Sequence, residues 1–176
     1  MPFFLNKQTI HQFQTYLKTQ TLDNLLELNH RYGDHFEQLF DQRDQIKIDL
    51  VKLKNDLSLQ INTLELLLTT KPEIIESENR RLEALQSLDG SRTERFFQKN
   101  HLMSYSPLAQ FNLSVEAQNA SITKIQDLVK VTDISLNITQ NDINLSIQEL
   151  NIINKFIERE KNKQMSIGQP APGLKN

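Results

Sequence analysis

A heptad pattern between residues 34 and 70 constrains the fold of this chain more than any other feature of its sequence. With Phe36 at position a, the a and d positions up to Leu67 hold eight apolar residues and two polar ones, Arg43 and Gln60. No glycine or proline interrupts the stretch. A 3.5-residue spacing of this length is typical of a coiled-coil helix whose apolar seam faces another helix. At ~1.5 Å of rise per residue, this helix would be about 55 Å long.

The composition favours an all-α fold without catalytic, nucleic-acid or membrane-spanning segments. Four glycines and five prolines in 176 residues provide little of the turn chemistry that an all-β fold needs. The charges are interspersed, with a net charge of −2, and no basic block or Gly-rich phosphate loop is present, so a nucleic-acid partner is not expected. The absence of cysteine excludes disulfides and Cys-ligated zinc. With no apolar run that could span a bilayer and no signal-peptide pattern, we expect a cytoplasmic protein.

Glycine, proline and capping residues predict where the first helices begin and end. We expect short helices over residues 1–33, ended by Gly33, and a capping-box start of the long helix at Asp34. Pro72 predicts a kink or a fresh helix start within a coiled-coil region of residues 34–103. Asp89-Gly90 either ends the helix there, with a restart at Ser91, or leaves it continuous.

The second half of the chain is predicted to form an antiparallel helical hairpin over residues 104–164. Ser106-Pro107 has the form of an N-cap followed by proline at the first helical position. Helices over 107–131 and 141–163 would be joined by residues 134–139, whose apolar residues alternate with period two. The tail, residues 165–176, is expected to be disordered because it is rich in proline and glycine.

Two apolar stripes are predicted to bind partner chains. A helix of about 55 Å is longer than a hairpin helix of ~37 Å, and a two-helix hairpin alone buries too little surface to fold. The alternative is an internal core in which these helices pack on one another. The stalk stripe consists of Leu50, Leu53, Leu57, Leu64 and Leu67. The hairpin stripe consists of Leu108, Phe111, Val115, Ile122, Ile125, Val129, Ile143, Leu150, Ile153 and Ile157.

Side chains suited to catalysis or metal binding do not form a recognisable pattern. His30 and His35 flank Asp34, but their spacing matches no zinc motif, and we expect them to be solvated surface residues. No nucleophile–base arrangement is present, so we expect a protein that is not an enzyme and has no cofactor or metal. The N-terminal residues Phe3, Phe4 and Leu5 either make a weak peripheral membrane contact or pack on the stalk.

Several short segments occur in an order that resembles a known family. They are Leu22 to Leu26, the stretch KNDLSLQINTLE at 54–65, Tyr105-Ser106-Pro107 with Glu116-Ala117, Asn141 to Asn144, and Arg159 to Lys161. Their order and spacing over roughly residues 20–163 resemble the Mod(r) domain of the vacuolar protein sorting thirty-seven family, a subunit of the ESCRT-I complex. The chain would be a divergent, fungal-like member.

The resemblance implies a structural subunit that helps to sort ubiquitinated membrane cargo into multivesicular endosomes, cytoplasmic and peripheral on the endosome membrane. Residues 34–98 would join a stalk with the ubiquitin-binding UEV subunit and the multivesicular-body subunit. Residues 107–163, carrying the hairpin stripe, would join the headpiece beside a second headpiece subunit. Two alternatives remain: a coiled-coil subunit of a kinetochore, tethering or secretion-stalk assembly, and a self-contained helical bundle.

Overall fold

The computed structural model describes residues 9–167 of the chain. Within these residues every regular element is a helix, which confirms the all-α prediction. Five helices follow one another along the chain: α1 (Ile10–Leu17), α2 (Leu22–Thr69), α3 (Lys71–Gln86), α4 (Arg92–Ser104) and α5 (Pro107–Ile167). The N-terminal residues Phe3, Phe4 and Leu5 lie outside the described range. Most of the tail expected to be disordered does too, but residues 165–167 belong to α5, so that prediction is wrong for these three residues.

Three boundaries predicted from capping residues are confirmed. Helix α3 begins at Lys71 with Pro72 in its first turn, where the missing N–H of proline leaves no hydrogen bond unmade. At α4, the Ser91 hydroxyl accepts from the Glu94 backbone N–H at 3.3 Å, and the Glu94 carboxylate accepts from the Ser91 backbone N–H at 2.8 Å. Gly90 precedes this box with φ at 106°, in the region that favours glycine. At α5, the Ala109 backbone N–H donates to the Ser106 hydroxyl at 3.1 Å.

The predicted helix end at Gly33 is wrong, and so is the capping-box start at Asp34. Helix α2 begins at Leu22 and runs through Gly33 without a break. An interior glycine costs a helix about 1 kcal/mol relative to alanine, which packing on both sides can offset. Here Tyr32 is buried and Phe36 packs against the same core. Tertiary packing therefore outweighs the local preference of Gly33 for a helix end.

The predicted hairpin of residues 104–164 is also wrong, because α5 is one continuous helix of 61 residues. The segment 134–139, interpreted as a connection, lies inside it. Thr139 donates its hydroxyl to the Ser135 carbonyl oxygen at 3.0 Å, as threonine does within a helix. The stripe continues through this region at 3–4 spacing, from Val129 through Thr132, Leu136 and Thr139 to Ile143. The two threonines conceal this spacing when only apolar residues are counted.

Two compact units make up the described chain. The terminal unit combines α1, α2 up to Asp49 and α5 from Thr132 onward. Its core is formed by seven buried side chains: Phe13, Leu17, Leu25, Tyr32, Ile153, Phe156 and Ile157. Asn29 hydrogen-bonds Asn154, and Tyr32 hydrogen-bonds Glu149. Since the α2 partner number rises as the α5 number falls, the two helices run antiparallel in this unit.

The central unit spans Leu50–Val131 and contains the end of α2, all of α3 and α4, and the beginning of α5. Its buried apolar residues are Leu50, Phe111 and Ile122. Helix α4 packs against α3 but buries none of its own residues. The central unit is therefore held together by partly buried seams and by polar contacts rather than by a thick core.

Candidate partner-binding surfaces

The stalk stripe faces inward within its own chain. Leu50 is buried, and Leu53, Leu57, Leu64 and Leu67 are partly buried, whereas most residues between them are exposed. All ten a and d positions from Phe36 to Leu67 are at least partly buried, which confirms the heptad seam. Upstream, Leu22, Leu25, Asn29 and Tyr32 continue the same spacing. This extension can be predicted from the sequence by continuing the heptad register toward the N-terminus past Gly33.

The hairpin stripe is covered in the same way. Its buried members are Phe111, Ile122, Ile143, Ile153 and Ile157, and its partly buried members are Leu108, Val115, Ile125, Val129 and Leu150. The length argument assumed a hairpin helix of 25 residues, whereas α5 has 61 residues. Both stripes are therefore occupied by segments of this chain, as in the alternative of an internal core.

In each unit, a polar residue at a seam position hydrogen-bonds a polar residue of the facing helix. In the central unit, the Gln118 side-chain amide donates to the Gln60 backbone carbonyl at 2.8 Å and to the Gln60 side-chain oxygen at 2.7 Å. In the terminal unit, the seam residue Asn29 donates at 2.6 Å to Asn154, which is exposed beside the α5 stripe. A polar pair inside an apolar seam favours the one alignment in which both partners are satisfied. Sequence analysis identified Gln60 as a polar exception in the α2 seam but did not pair it with Gln118.

A buried ion pair joins α3 to the turn between α4 and α5. Glu78, 8% exposed, accepts from Arg81 at 2.5 Å and from the Ser106 hydroxyl at 3.0 Å. Arg81 also donates to the Leu102 backbone carbonyl at 2.7 Å. The hydrogen bond from Arg81 lowers the pKa of the Glu78 carboxyl. Burial acts in the opposite direction, whereas the hydrogen bonds from the Ser106 hydroxyl and the Leu108 backbone N–H lower this pKa further. These residues occupy seam positions of the extended heptad, so the seam after Pro72 continues with a charged pair.

The terminal unit buries an unusual set of polar groups beside its apolar core. Glu149 and Ser146 are fully buried, and the Ser146 hydroxyl has no hydrogen-bond partner among the described residues. The Nε2 atom of His35 is also buried without a partner, so the expectation of a solvated His35 is wrong, whereas His30 is exposed. Burial lowers the pKa of His35, although the nearby Asp142 carboxylate acts in the opposite direction. Among residues 9–167, no three metal-ligating side chains form a group that could hold an ion.

The surface carries more large apolar side chains than the core. Within the described residues, twelve apolar residues are buried, whereas twenty-three large apolar residues are exposed. Leu59 and Leu66, on one face of α2, are 61% and 69% exposed. Seven residues apart, they share a face that is distinct from the seam. Other exposed members are Ile48, Val51, Ile61, Leu68, Phe96, Phe97, Leu113, Leu128, Val131, Ile134 and Ile138.

Comparison with family models, with curated proteins and with solved structures finds no match to this chain. In the part of the chain that the structure describes, no helix is both long and apolar enough to cross a lipid bilayer.

Proposed function

We propose that this chain is a non-catalytic scaffold subunit whose outward apolar side chains bind helices of partner proteins. The main support is that, among the described residues, exposed large apolar side chains outnumber buried apolar ones. Single exposed apolar residues are ordinary on protein surfaces, but a stripe that repeats along a helix is typical of an interaction site. The seams, which the chain itself covers, hold the subunit together.

Leu59 and Leu66 form the surface on which this proposal is most easily tested. Neither residue lies at a seam position, so replacing them leaves the contacts between Gln60 and Gln118 in place. Exposed apolar residues seven positions apart lie on the same face of a helix, so both can contact one partner helix, as in other amphipathic helix interfaces. A charge at either position would have to be desolvated when the partner binds, which opposes association.

The assembly that we propose for this subunit is ESCRT-I, and the support for it is the resemblance to the Mod(r) domain. In that setting the chain would act on the cytoplasmic side of endosome membranes in the sorting of ubiquitinated cargo. Because α5 is continuous, it does not offer the headpiece hairpin that the resemblance implies. Attachment to the other subunits would then use outward faces such as that of Leu59 and Leu66.

The experiment is tandem affinity purification of the tagged chain from its native cell, followed by size-exclusion chromatography and mass spectrometry. The wild-type chain should elute with partners in fixed stoichiometry. The double variant Leu59→Glu/Leu66→Glu should lose them, whereas the control Asn55→Glu/Asn62→Glu, at exposed positions of the same helix, should keep them. Recovery of the UEV and multivesicular-body subunits would support ESCRT-I.

Two results would contradict the scaffold proposal. One is a chain that elutes alone as a monodisperse monomer by light scattering, which is the behaviour of a self-contained bundle. The other is a partner set that the Leu59→Glu/Leu66→Glu variant retains as well as its control does. Circular dichroism of both variants should match the wild type, because the substituted side chains are exposed.

A further inference from the structure

Helix α4 presents an aromatic face to solvent. The Phe96 and Phe97 side chains are 60% and 66% exposed, with ring centroids 5.8 Å apart in an edge-to-face arrangement. Met103, on the same side as Phe96 by its seven-residue spacing, and Tyr105, just after the helix, are also exposed. The other side of α4, with Gln98, His101 and Leu102, lines a cavity shared with α3 and the turn that follows it. The aromatic face is therefore largely exposed to solvent.

Three basic side chains lie along the same helix. Arg92, Arg95 and Lys99 are all exposed, and none of them takes part in an ion pair among residues 9–167. Arg92 and Lys99 flank Phe96 at spacings of four and three residues, which places them beside it. Together with Phe96, the three cations line a shallow concave surface against Leu85 and Leu88.

Acidic groups near this face are engaged elsewhere. Glu94, the one acid within α4, accepts the Ser91 backbone N–H in the capping box, and this hydrogen bond lowers the pKa of its carboxyl. Asp89, just before the helix, accepts the Gly90 backbone N–H at 2.7 Å. Both carboxylates stay charged at the N-terminal end of α4, and the three cations outnumber them beside the exposed aromatic rings.

We infer that α4 binds an anionic lipid surface, with Phe96, Phe97 and Met103 in the interface and Arg92, Arg95 and Lys99 on the headgroups. Amphipathic helices that lie in a membrane interface have this composition, with large apolar side chains on one face and Lys or Arg beside them. Tyrosine, as at position 105, is favoured at the same depth. An apolar protein groove would match the phenylalanines but not the three unpaired cations. Charge complementarity thus favours a phospholipid surface over a protein partner.

The three basic residues of α4 should strengthen its binding to an anionic leaflet. One basic residue near an anionic leaflet strengthens binding roughly fivefold, so three should contribute about a hundredfold. This contribution should weaken as the salt concentration rises, because the charges are exposed and screened.

Vesicle co-sedimentation of the purified full chain tests the inference, using phosphatidylcholine vesicles with and without phosphatidylserine. The variant Arg92→Gln/Arg95→Gln/Lys99→Gln should lose about a hundredfold in affinity for the anionic vesicles. The variant Phe96→Ser/Phe97→Ser should lose binding to them as well. The control Lys54→Gln/Lys71→Gln/Lys124→Gln removes the same charge from exposed positions of the same unit and should keep binding.

Misfolding is not a competing explanation, because α4 buries no residue and each variant can be checked by its unfolding midpoint. Binding that ignores phosphatidylserine, or that the α4 variants retain, would overturn the inference. So would loss of binding only in Phe3→Ser/Phe4→Ser, which would place the lipid contact at the N-terminus. Loss of a co-purifying protein without any vesicle binding would make α4 a protein-docking face instead. The Leu59→Glu/Leu66→Glu variant should bind vesicles normally, which separates this inference from the scaffold proposal.

Discussion

Replacing Asn137 by proline tests whether residues 132–140 are helical, as in the structure, or a connection between two helices. Asn137 is exposed and lies within α5, so its side chain contributes little to packing. Proline there removes the backbone hydrogen bond from residue 137 to residue 133 and places its ring against that carbonyl. The expected loss in the free energy of unfolding is therefore a backbone effect of about 3 kcal/mol.

The assay is urea unfolding followed by circular dichroism. With a denaturant dependence of about 2 kcal/mol per molar, a loss of this size lowers the urea midpoint by about 1.5 M. The control Asn137→Ala keeps the backbone hydrogen bond and improves helix propensity slightly, so its midpoint should be equal to that of the wild type or somewhat higher. Equal midpoints for the proline and alanine variants would show that this segment is a loop, and the continuous α5 would be refuted.

Three further substitutions test the cores and seams. Ile153→Ala in the terminal core should cost about 2–5 kcal/mol of unfolding free energy, whereas Ile134→Ala at an exposed position should cost under about 1 kcal/mol, both measured by urea denaturation. Gln118→Leu leaves Gln60 without its partner and should cost about 1–3 kcal/mol, and Gln60→Leu/Gln118→Leu should regain most of it in a double-mutant cycle. Because the pKa of His35 is lowered from its ordinary value of 6.5, the unfolded chain binds more protons near that pH, so stability should be greatest above pH 6.5 and fall below it. Thermal melts of wild type and His35→Gln from pH 7.5 to 5.5, about one unit to either side of that value, should therefore diverge on the acid side; parallel curves would contradict this.

The seam of α2 could be predicted from the sequence because its period is carried by large apolar residues. Eight of ten positions from Phe36 to Leu67 are apolar, and the structure buries all ten at least partly. The capping boxes could be predicted for a similar reason, since they depend on residues only three apart. Local chemistry is sufficient where the surrounding structure does not oppose it.

The hairpin and the helix end at Gly33 could not be predicted correctly, because both depend on distant packing. Gly33 favours a helix end locally, and only the contacts of Tyr32 and Phe36 with the terminal core outweigh it. At 134–139, Ile134 and Ile138 are outward residues of α5, so the apparent alternation mixes a seam face with an exposed face. Apolar residues that lie on two faces of one helix can alternate with period two in the sequence, as in a strand. Only the position of the partner helix separates the two cases.

Polar residues explain why two apolar seams should pack in a single alignment. A seam of leucine and isoleucine alone would be satisfied in several registers, one heptad apart, at similar free energy. The hydrogen bonds from Gln118 to Gln60 and from Asn29 to Asn154 exist in one register only within their units. A shift would leave the partly buried amides of Gln60, Gln118 and Asn29 without these partners. The seams are therefore self-contained and specific. Interactions with other molecules are then left to the outward faces, where the exposed leucines of α2 and the aromatic and basic residues of α4 lie at different sites and can be tested separately.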